Sequence, residues 1–226
     1  MQPDLGPLTV QRLTGQEPLH AGEHRHGTVA DFWRWACSDL ASNTMRGILA
    51  EYLVAHALDA ATGTRQEWDV VDIRSPEGWR VEVQSSAYLQ TWAQSKPSSI
   101  GFSIAPASGW DAQTGNYSPE QLRRSDVYVF CVLNHQDKQS LNPLDLAQWD
   151  FYVLATRVLD ESCPRQRTIS LSSLQRLAPI RTGYAGLRQA VASCAPDPAE
   201  TAPAESASRL GEIPAPPAPR PRSAGR

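Results

Sequence analysis

Apolar residues recur at helical spacing early in the chain. A first helix is predicted from Thr28 to Ser42. A second helix begins at Asn43, whose side chain can cap the free amides of the first turn, and it ends at Gly63. Its apolar stripe predicts an amphipathic helix that packs on a sheet and consists of Met45, Ile48, Leu49, Tyr52, Leu53 and His56. Glu51 lies beside that stripe, so we expect its carboxylate to reach the sheet.

The spacing then changes to that of a β-hairpin. Two short β-rich runs, Trp68–Ile73 and Trp79–Ser85, flank the sequence Ser75-Pro76-Glu77-Gly78. Proline presets the first position of a turn, and glycine takes the left-handed position that follows. The pattern therefore predicts two antiparallel strands joined by a tight turn.

The register of this hairpin decides which acidic side chains meet. If Ser75 lies opposite Trp79, then Asp72 lies across from Glu82 on one face of the sheet. A slip of one residue would bring Asp69 to Glu82 instead, because side chains alternate between the two faces. We favour Asp72, and Asp69 is the alternative.

The remaining elements complete a mixed α/β (α+β) fold. Further strands are predicted at Ser99–Ile104, Asp126–Leu133 and Trp149–Ala155. Helical segments are predicted at Pro119–Arg124, Leu171–Leu177 and Tyr184–Ser193. This order of elements favours a mixed central sheet flanked by helices.

The chain divides into three segments. Residues 1–27 are weakly patterned and are expected to be irregular, and residues 28–194 form the folded domain. Residues 195–226 are half Pro and Ala with few large apolar side chains, so we expect a disordered C-terminal tail.

Composition indicates an intracellular globular protein. No apolar run reaches membrane-spanning length and no signal peptide is visible, so a cytoplasmic protein with no membrane partner is expected. The net charge of −3 argues against a protein that coats nucleic acid nonspecifically. Six arginines between Ala155 and Ala190 form a local basic excess, which fits either phosphate contact or a solvated face.

Three acidic side chains are candidate metal ligands. Two carboxylates that face each other across a hairpin repel unless a positive charge lies between them. Glu51, Asp72 and Glu82 are hard oxygen donors suited to Mg²⁺ or Mn²⁺, and the main-chain carbonyl of Val83 is a further candidate ligand. Such an ion lowers the pKa of a bound water and stabilises charge on a phosphate.

The same residues carry a family resemblance. The segments RGILAEYL (Glu51), WDVVDI (Asp72) and RVEVQSSAYLQTW (Glu82, Gln84) resemble the PD-(D/E)XK nuclease superfamily over roughly residues 43–133. They also resemble a bacterial group with an E-x-Q variant of that motif. The resemblance implies a restriction-endonuclease-like fold and metal-dependent hydrolysis of phosphodiester bonds, usually in DNA. Nucleases that cut both strands are commonly homodimers, so a homodimer is a further expectation, although no segment marks an interface.

One position departs from the superfamily pattern. Gln84 stands where the superfamily usually has a lysine that helps to orient the attacking water and offsets charge. The amide of Gln84 can hold a water but carries no charge. Arg80 and Lys96 are candidates for a relocated cation, and Gln90 is a candidate DNA contact. The alternative is a catalytically impaired nuclease-fold protein that binds nucleic acid or a partner protein.

Overall fold

The computed structural model describes residues 10–65, 69–111 and 116–197. The predicted disordered tail lies almost wholly outside the described residues, as does Trp68 at the start of the first predicted hairpin strand.

Within these ranges the chain alternates short helices and strands. The strands are β1 (Pro18–Ala21), β2 (His24–Thr28), β3 (Ile73–Arg74), β4 (Arg80–Ala87), β5 (Gly101–Ser103), β6 (Ala107–Asp111), β7 (Asn116–Leu122), β8 (Val127–Leu133), β9 (Trp149–Ala155), β10 (Thr168–Ser170) and β11 (Ile180–Thr182). The α-helices are α1 (Val29–Cys37), α2 (Asn43–Ala57), α3 (Thr156–Ser162), α4 (Leu171–Arg176) and α5 (Leu187–Cys194). Two short 3-10 helices cover Leu146–Gln148 and Tyr184–Gly186.

The centre of the fold is a mixed sheet with the strand order β11-β9-β8-β4-β3. Strand β4 runs parallel to β8, and the other neighbouring pairs are antiparallel. This architecture confirms the predicted mixed α+β fold with a central mixed sheet flanked by helices.

Strand β8 is buried on both faces, since all of its residues are apolar and inaccessible to solvent. Val127, Val129 and Cys131 join the apolar layer beneath α2 and α5. Tyr128 and Phe130 join the opposite layer, which includes residues of β5, α3 and α4. A continuous apolar run is expected of a central strand that is covered on both sides.

Helix α2 begins within one residue of the predicted start, but it is capped by Ser42 and not by Asn43, and it presents a different face to the sheet. Ser42 is its N-cap, its side chain accepting from the Met45 amide at 3.4 Å, and the helix ends at Ala57 rather than at Gly63. Its buried residues are Arg46, Ala50, Leu53 and Val54. Tyr52 and His56, which the predicted stripe placed inside, are exposed, because the face that packs on the sheet is the one that carries Ala50, Leu53 and Val54.

Two other predictions are wrong. Residues 119–124 are not helical: most of them belong to β7, which pairs with β6 in a separate hairpin, so tertiary pairing overrides the local preference. Residues 18–28 form the β1–β2 hairpin rather than an irregular segment.

The predicted first helix is shorter than expected, ending at Cys37, and it is capped by a reciprocal pair of hydrogen bonds between Thr28 and Asp31.

None of the helices in the described part of the chain is long and apolar enough to cross a bilayer.

Candidate functional site

The β3–β4 hairpin fixes the relative position of the two central acidic residues. Gly78 has φ +90, and the Ser75 amide donates to the Trp79 carbonyl at 3.0 Å. Ile73 pairs with Val81. The next position away from the turn on each strand is Asp72 and Glu82, so this register places the two acids across from each other. The predicted register is therefore confirmed.

Asp69, the alternative partner of Glu82, is occupied elsewhere. Its two carboxylate oxygens each accept a hydrogen bond of 2.9 Å from the guanidinium of Arg74. The bidentate pair keeps Asp69 ionised, since hydrogen bonds and the adjacent positive charge hold its pKa below the usual value against the effect of burial.

Asp72 immediately precedes β3 and is held by the backbone of β4. Its Oδ2 accepts a hydrogen bond of 2.7 Å from the Val83 amide. Because β3 is only two residues long, this amide meets a side-chain carboxylate rather than a main-chain carbonyl of β3. The carboxylate is thus fixed at the end of the short strand.

Burial and neighbouring acids raise the pKa of both carboxylates. Burial, followed by the charge of Asp72, raises the pKa of Glu82 to about 8. Burial, followed by the charge of Glu51, raises the pKa of Asp72 to about 6, although the Val83 amide and the charge of Arg65 act in the opposite direction. Acids whose pKa is raised by burial and by neighbouring charges are typical of functional sites.

Glu51 reaches the neighbourhood of Asp72 from the other side. It lies on α2, which packs on the face of β4 that carries Val81 and Val83, whereas Glu82 points to the opposite face. The Glu51 carboxylate is held by the guanidinium of Arg65, with one hydrogen bond of 3.0 Å and a second of 2.5 Å. Arg65 therefore supplies a positive charge beside the acidic residues.

Two clefts meet at Asp72. The first, about 280 Å³ in volume, holds Asp72 and Glu82 together with residues of β6 and the end of β7. The second, about 430 Å³, holds Asp72 together with Glu51 and Arg65. Asp72 lines both clefts, so it connects the α2 side of the hairpin to the β6–β7 side.

A metal site formed by Glu51, Asp72 and Glu82 stays a prediction. Among residues 10–65, 69–111 and 116–197, no three His, Cys, Asp or Glu side chains are close enough together to hold an ion. The donor chemistry nevertheless fits a hard divalent cation, because two half-buried carboxylates repel each other and a third raises the pKa of both.

Gln84 contacts one acid of the pair, Glu82. Its side-chain Nε2 donates to Glu82 Oε1 at 3.3 Å, and this bond lowers the pKa of Glu82 while burial raises it. The hydrogen bond orients the Glu82 carboxylate without adding a charge.

The predicted cation Arg80 is neutralised by an acid. It donates to Asp126 from Nη2 at 2.6 Å and from Nε at 3.2 Å, and the same carboxylate also accepts from the Arg80 amide. The other predicted cation, Lys96, is exposed on the loop after β4.

Gln90 is buried in the same loop rather than displayed on the surface. Its side-chain Nε2 donates to the Ala87 carbonyl at 3.1 Å, and its main-chain N–H donates to Gln94 Oε1 at 2.7 Å. Gln94 in turn donates to Ser98 and to the Tyr88 carbonyl. These bonds hold the loop together, so the structure supports a structural role for Gln90.

Sequence reasoning missed two arginines that line the first cleft. Arg123 and Arg124 follow β7 and face the same cleft as Asp72 and Glu82. The adjacent pair of basic residues was a visible signal, but a helical assignment for residues 119–124 gave no reason to place it near the acids.

One comparison with known proteins finds a related family. A family model described as bacteriophage T4 endonuclease IV matches residues 35–173, which include α2, the β3–β4 hairpin and both arginines after β7. No curated protein matches the chain.

Proposed function

Because the chain belongs to the bacteriophage T4 endonuclease IV family, we propose that it is a metal-dependent nuclease that hydrolyses phosphodiester bonds in DNA. The observation that carries the metal-dependent part is the pair Asp72 and Glu82, fixed across a hairpin and mutually repelling. The helix, the hairpin and their acids support placing it in the PD-(D/E)XK superfamily as an E-x-Q variant.

Asp72 and Glu82 would hold a Mg²⁺ or Mn²⁺ ion, with Glu51 and the Val83 carbonyl as further ligands. Such an ion supplies a water of lowered pKa and stabilises charge on the phosphate. Fixed positions of the donors matter because a catalytic group that is already oriented loses little entropy when the substrate binds.

The chain's own groups set the conditions under which the site works. Glu82 retains a proton near neutral pH, so it must lose that proton before its carboxylate can act as a ligand. Gln84 holds the Glu82 carboxylate in orientation through its amide nitrogen. The carbonyl oxygen of the Gln84 amide can accept a hydrogen bond from a water near the phosphate.

Arg65 would stabilise the three acids when no metal is bound. Its bonds to Glu51 and its charge near Asp72 offset the repulsion among the acids. A bound divalent ion would take over this neutralisation.

A second candidate function rests on Gln84. With a neutral amide in place of the superfamily's lysine and with Arg80 neutralised by Asp126, the chain could bind DNA or a partner protein without cleaving DNA. Such a protein would have the fold of a nuclease but would not cleave DNA.

Cleavage assays separate the two functions. The full chain is incubated with plasmid, linear and single-stranded DNA in the presence of Mg²⁺ or Mn²⁺, beside Glu82→Gln and the control Glu161→Gln, an exposed acid on α3 that lines neither cleft. We expect cleavage by the wild type and the control but not by Glu82→Gln. DNA binding without cleavage by any of the three would support the second function, and equal cleavage by Glu82→Gln would overturn the proposed site.

A further inference from the structure

The two arginines after β7 differ in what they bind. The Arg123 side chain is 1% exposed, and it pairs with the Asp160 carboxylate at 2.7 Å. It also donates to the carbonyls of Ile104 and Cys163 at 2.7 and 2.8 Å. Arg123 is therefore neutralised and serves to clamp the segments around it.

Arg124 has no acidic partner among the described residues. It is half-buried, and within that part of the chain it donates to main-chain carbonyls: from Nη1 to Ala107 and Leu122, and from Nη2 to Glu120 at 3.3 Å. Among the described side chains, no carboxylate forms an ion pair with it. The carbonyls fix the orientation of the guanidinium without cancelling its charge.

The hydrogen bonds that hold Arg124 leave some of its guanidinium N–H groups without an acceptor among the described residues. A guanidinium carries five N–H donors. Three are directed at Ala107, Leu122 and Glu120, which leaves the Nε–H and one Nη2–H with no acceptor among the described residues. A guanidinium N–H without an acceptor can donate to a phosphate oxygen.

Gly109 on β6 makes room for the guanidinium. A Cβ added at Gly109 would lie 2.6 Å from Arg124 Cζ, closer than real Cβ contacts allow. A side chain at this position would push the guanidinium out of place, so the glycine permits the observed position of Arg124.

Charge in the cleft identifies what Arg124 can do. Asp69 forms an ion pair with Arg74, whereas Asp72, Glu82 and Arg124 form none with the described lining residues of this cleft. A phosphate that approaches metal-bound acids would meet this cation on the β7 side of the same cleft.

We propose that Arg124 is a catalytic residue that binds the scissile phosphate and supplies the positive charge that Gln84 lacks. The inference rests on the proposed nuclease function. In the hydrolysis a water oxygen forms a new bond to phosphorus, the bond from phosphorus to one sugar oxygen breaks, and a water proton ends on the leaving oxygen. Arg124 transfers no proton, and it stabilises the charge that develops on the phosphate oxygens.

Steady-state cleavage kinetics with saturating Mn²⁺ test the role of Arg124. Arg124→Ala should lower kcat on the order of 10²–10³-fold, with a smaller change in KM, because the charge acts mainly in the transition state. Arg124→Lys should retain part of the activity. The control Arg176→Ala removes an exposed arginine of α4 that bonds to Ser173, and it should match the wild type.

Two further variants distinguish a catalytic charge from a structural role. Gly109→Ala keeps the arginine but displaces it, so kcat should fall while the metal-induced rise in Tm is unchanged. Gln84→Lys should raise the kcat of Arg124→Ala at least tenfold, because it restores a cation beside Glu82. A merely structural arginine would not be rescued by a lysine on another strand.

The outcomes separate this inference from the function it rests on. If the wild type does not cleave DNA, the proposed function fails and the assignment of Arg124 fails with it. If the wild type cleaves and Arg124→Ala retains its kcat, or if only KM changes, the assignment of Arg124 alone is overturned. Failure of Gln84→Lys to rescue a folded Arg124→Ala would also contradict it.

Discussion

The carboxylate of Asp72 accepts a hydrogen bond of 2.7 Å from the main-chain amide of Val83, the residue that follows Glu82. One acid of the candidate site is therefore tied to the backbone of the strand that carries the other. The fold holds the two carboxylates close although burial and neighbouring acids raise the pKa of both, Glu51 acting on Asp72, and Asp72 and Glu51 acting on Glu82. Such an arrangement makes the metal-free chain sensitive to pH and to cations.

The stability of the metal-free chain should fall as pH rises from about 5 to about 8. Asp72 and Glu82 have folded-state pKa values of about 6 and about 8, above their ordinary values of 3.8 and 4.5. The folded state therefore binds more protons than the unfolded state in this window, so the free energy of unfolding decreases with pH. Urea unfolding at several pH values in the presence of a chelator measures this slope.

Glu82→Gln is the matched variant for the pH dependence, because it removes the more strongly shifted acid and keeps the size of the side chain. Its slope should be shallower than that of the wild type, and saturating Mn²⁺ should flatten the wild-type slope. Identical slopes in wild type and variant would show that Glu82 does not titrate as the structure implies.

Arg65 should oppose metal binding and Glu51 should favour it. Arg65 bonds to the Glu51 carboxylate and lowers the pKa of Asp72 by its charge, so a divalent ion must compete with it. Arg65→Ala is expected to tighten Mn²⁺ binding several-fold, and Glu51→Gln to weaken it. Calorimetric titration of both variants checks this, and an unchanged affinity in Glu51→Gln would remove Glu51 from the predicted ligands.

Gly78→Ala should destabilise the hairpin that positions the acids. Gly78 has φ +90, a left-handed conformation that costs an L side chain about 1–2 kcal/mol. Gly47→Ala is the matched control, because Gly47 lies inside α2 with nothing within 4 Å of an added Cβ. That control should raise the free energy of unfolding by up to about 1 kcal/mol. Two changes of the same sign in urea unfolding would contradict this account of the turn.

Gln90→Ala should affect stability rather than DNA binding. The side chain is buried and bonds to the Ala87 carbonyl, so its removal should cost about 1 kcal/mol. Lys96→Ala changes an exposed side chain and should leave stability unchanged. Unfolding curves and DNA titrations of both variants measure the two effects, and a Gln90→Ala protein of normal stability with weakened DNA affinity would restore Gln90 as a DNA contact.

The hairpin and the central strands could be predicted because their signals are local. The turn Ser75–Gly78 fixes its own register through Pro76 and Gly78, and that register placed Asp72 opposite Glu82. The short apolar run that forms β8 is rich in β-branched and aromatic residues, which favours a buried strand. These features depend on residues close together in the sequence.

The features that were missed depend on residues far apart in the sequence. The partner of Arg80 is Asp126 on the loop before β8, so its neutralisation could not be read from β4. Residues 119–122 belong to β7, whose end pairs with β6 through Gln121 and Leu122, and this pairing brings Arg124 into the cleft. Spacing along the chain says nothing about such pairings.

Calorimetric titration of Mn²⁺ tests the central claim most directly, namely that Asp72 and Glu82 form a divalent metal site. The wild type, Glu82→Gln and the control Glu161→Gln are compared above about pH 8, where Glu82 has lost its proton. We expect saturable binding by the wild type and by the control, and no binding by Glu82→Gln. Absence of binding to the wild type, or equal binding by Glu82→Gln, would contradict it.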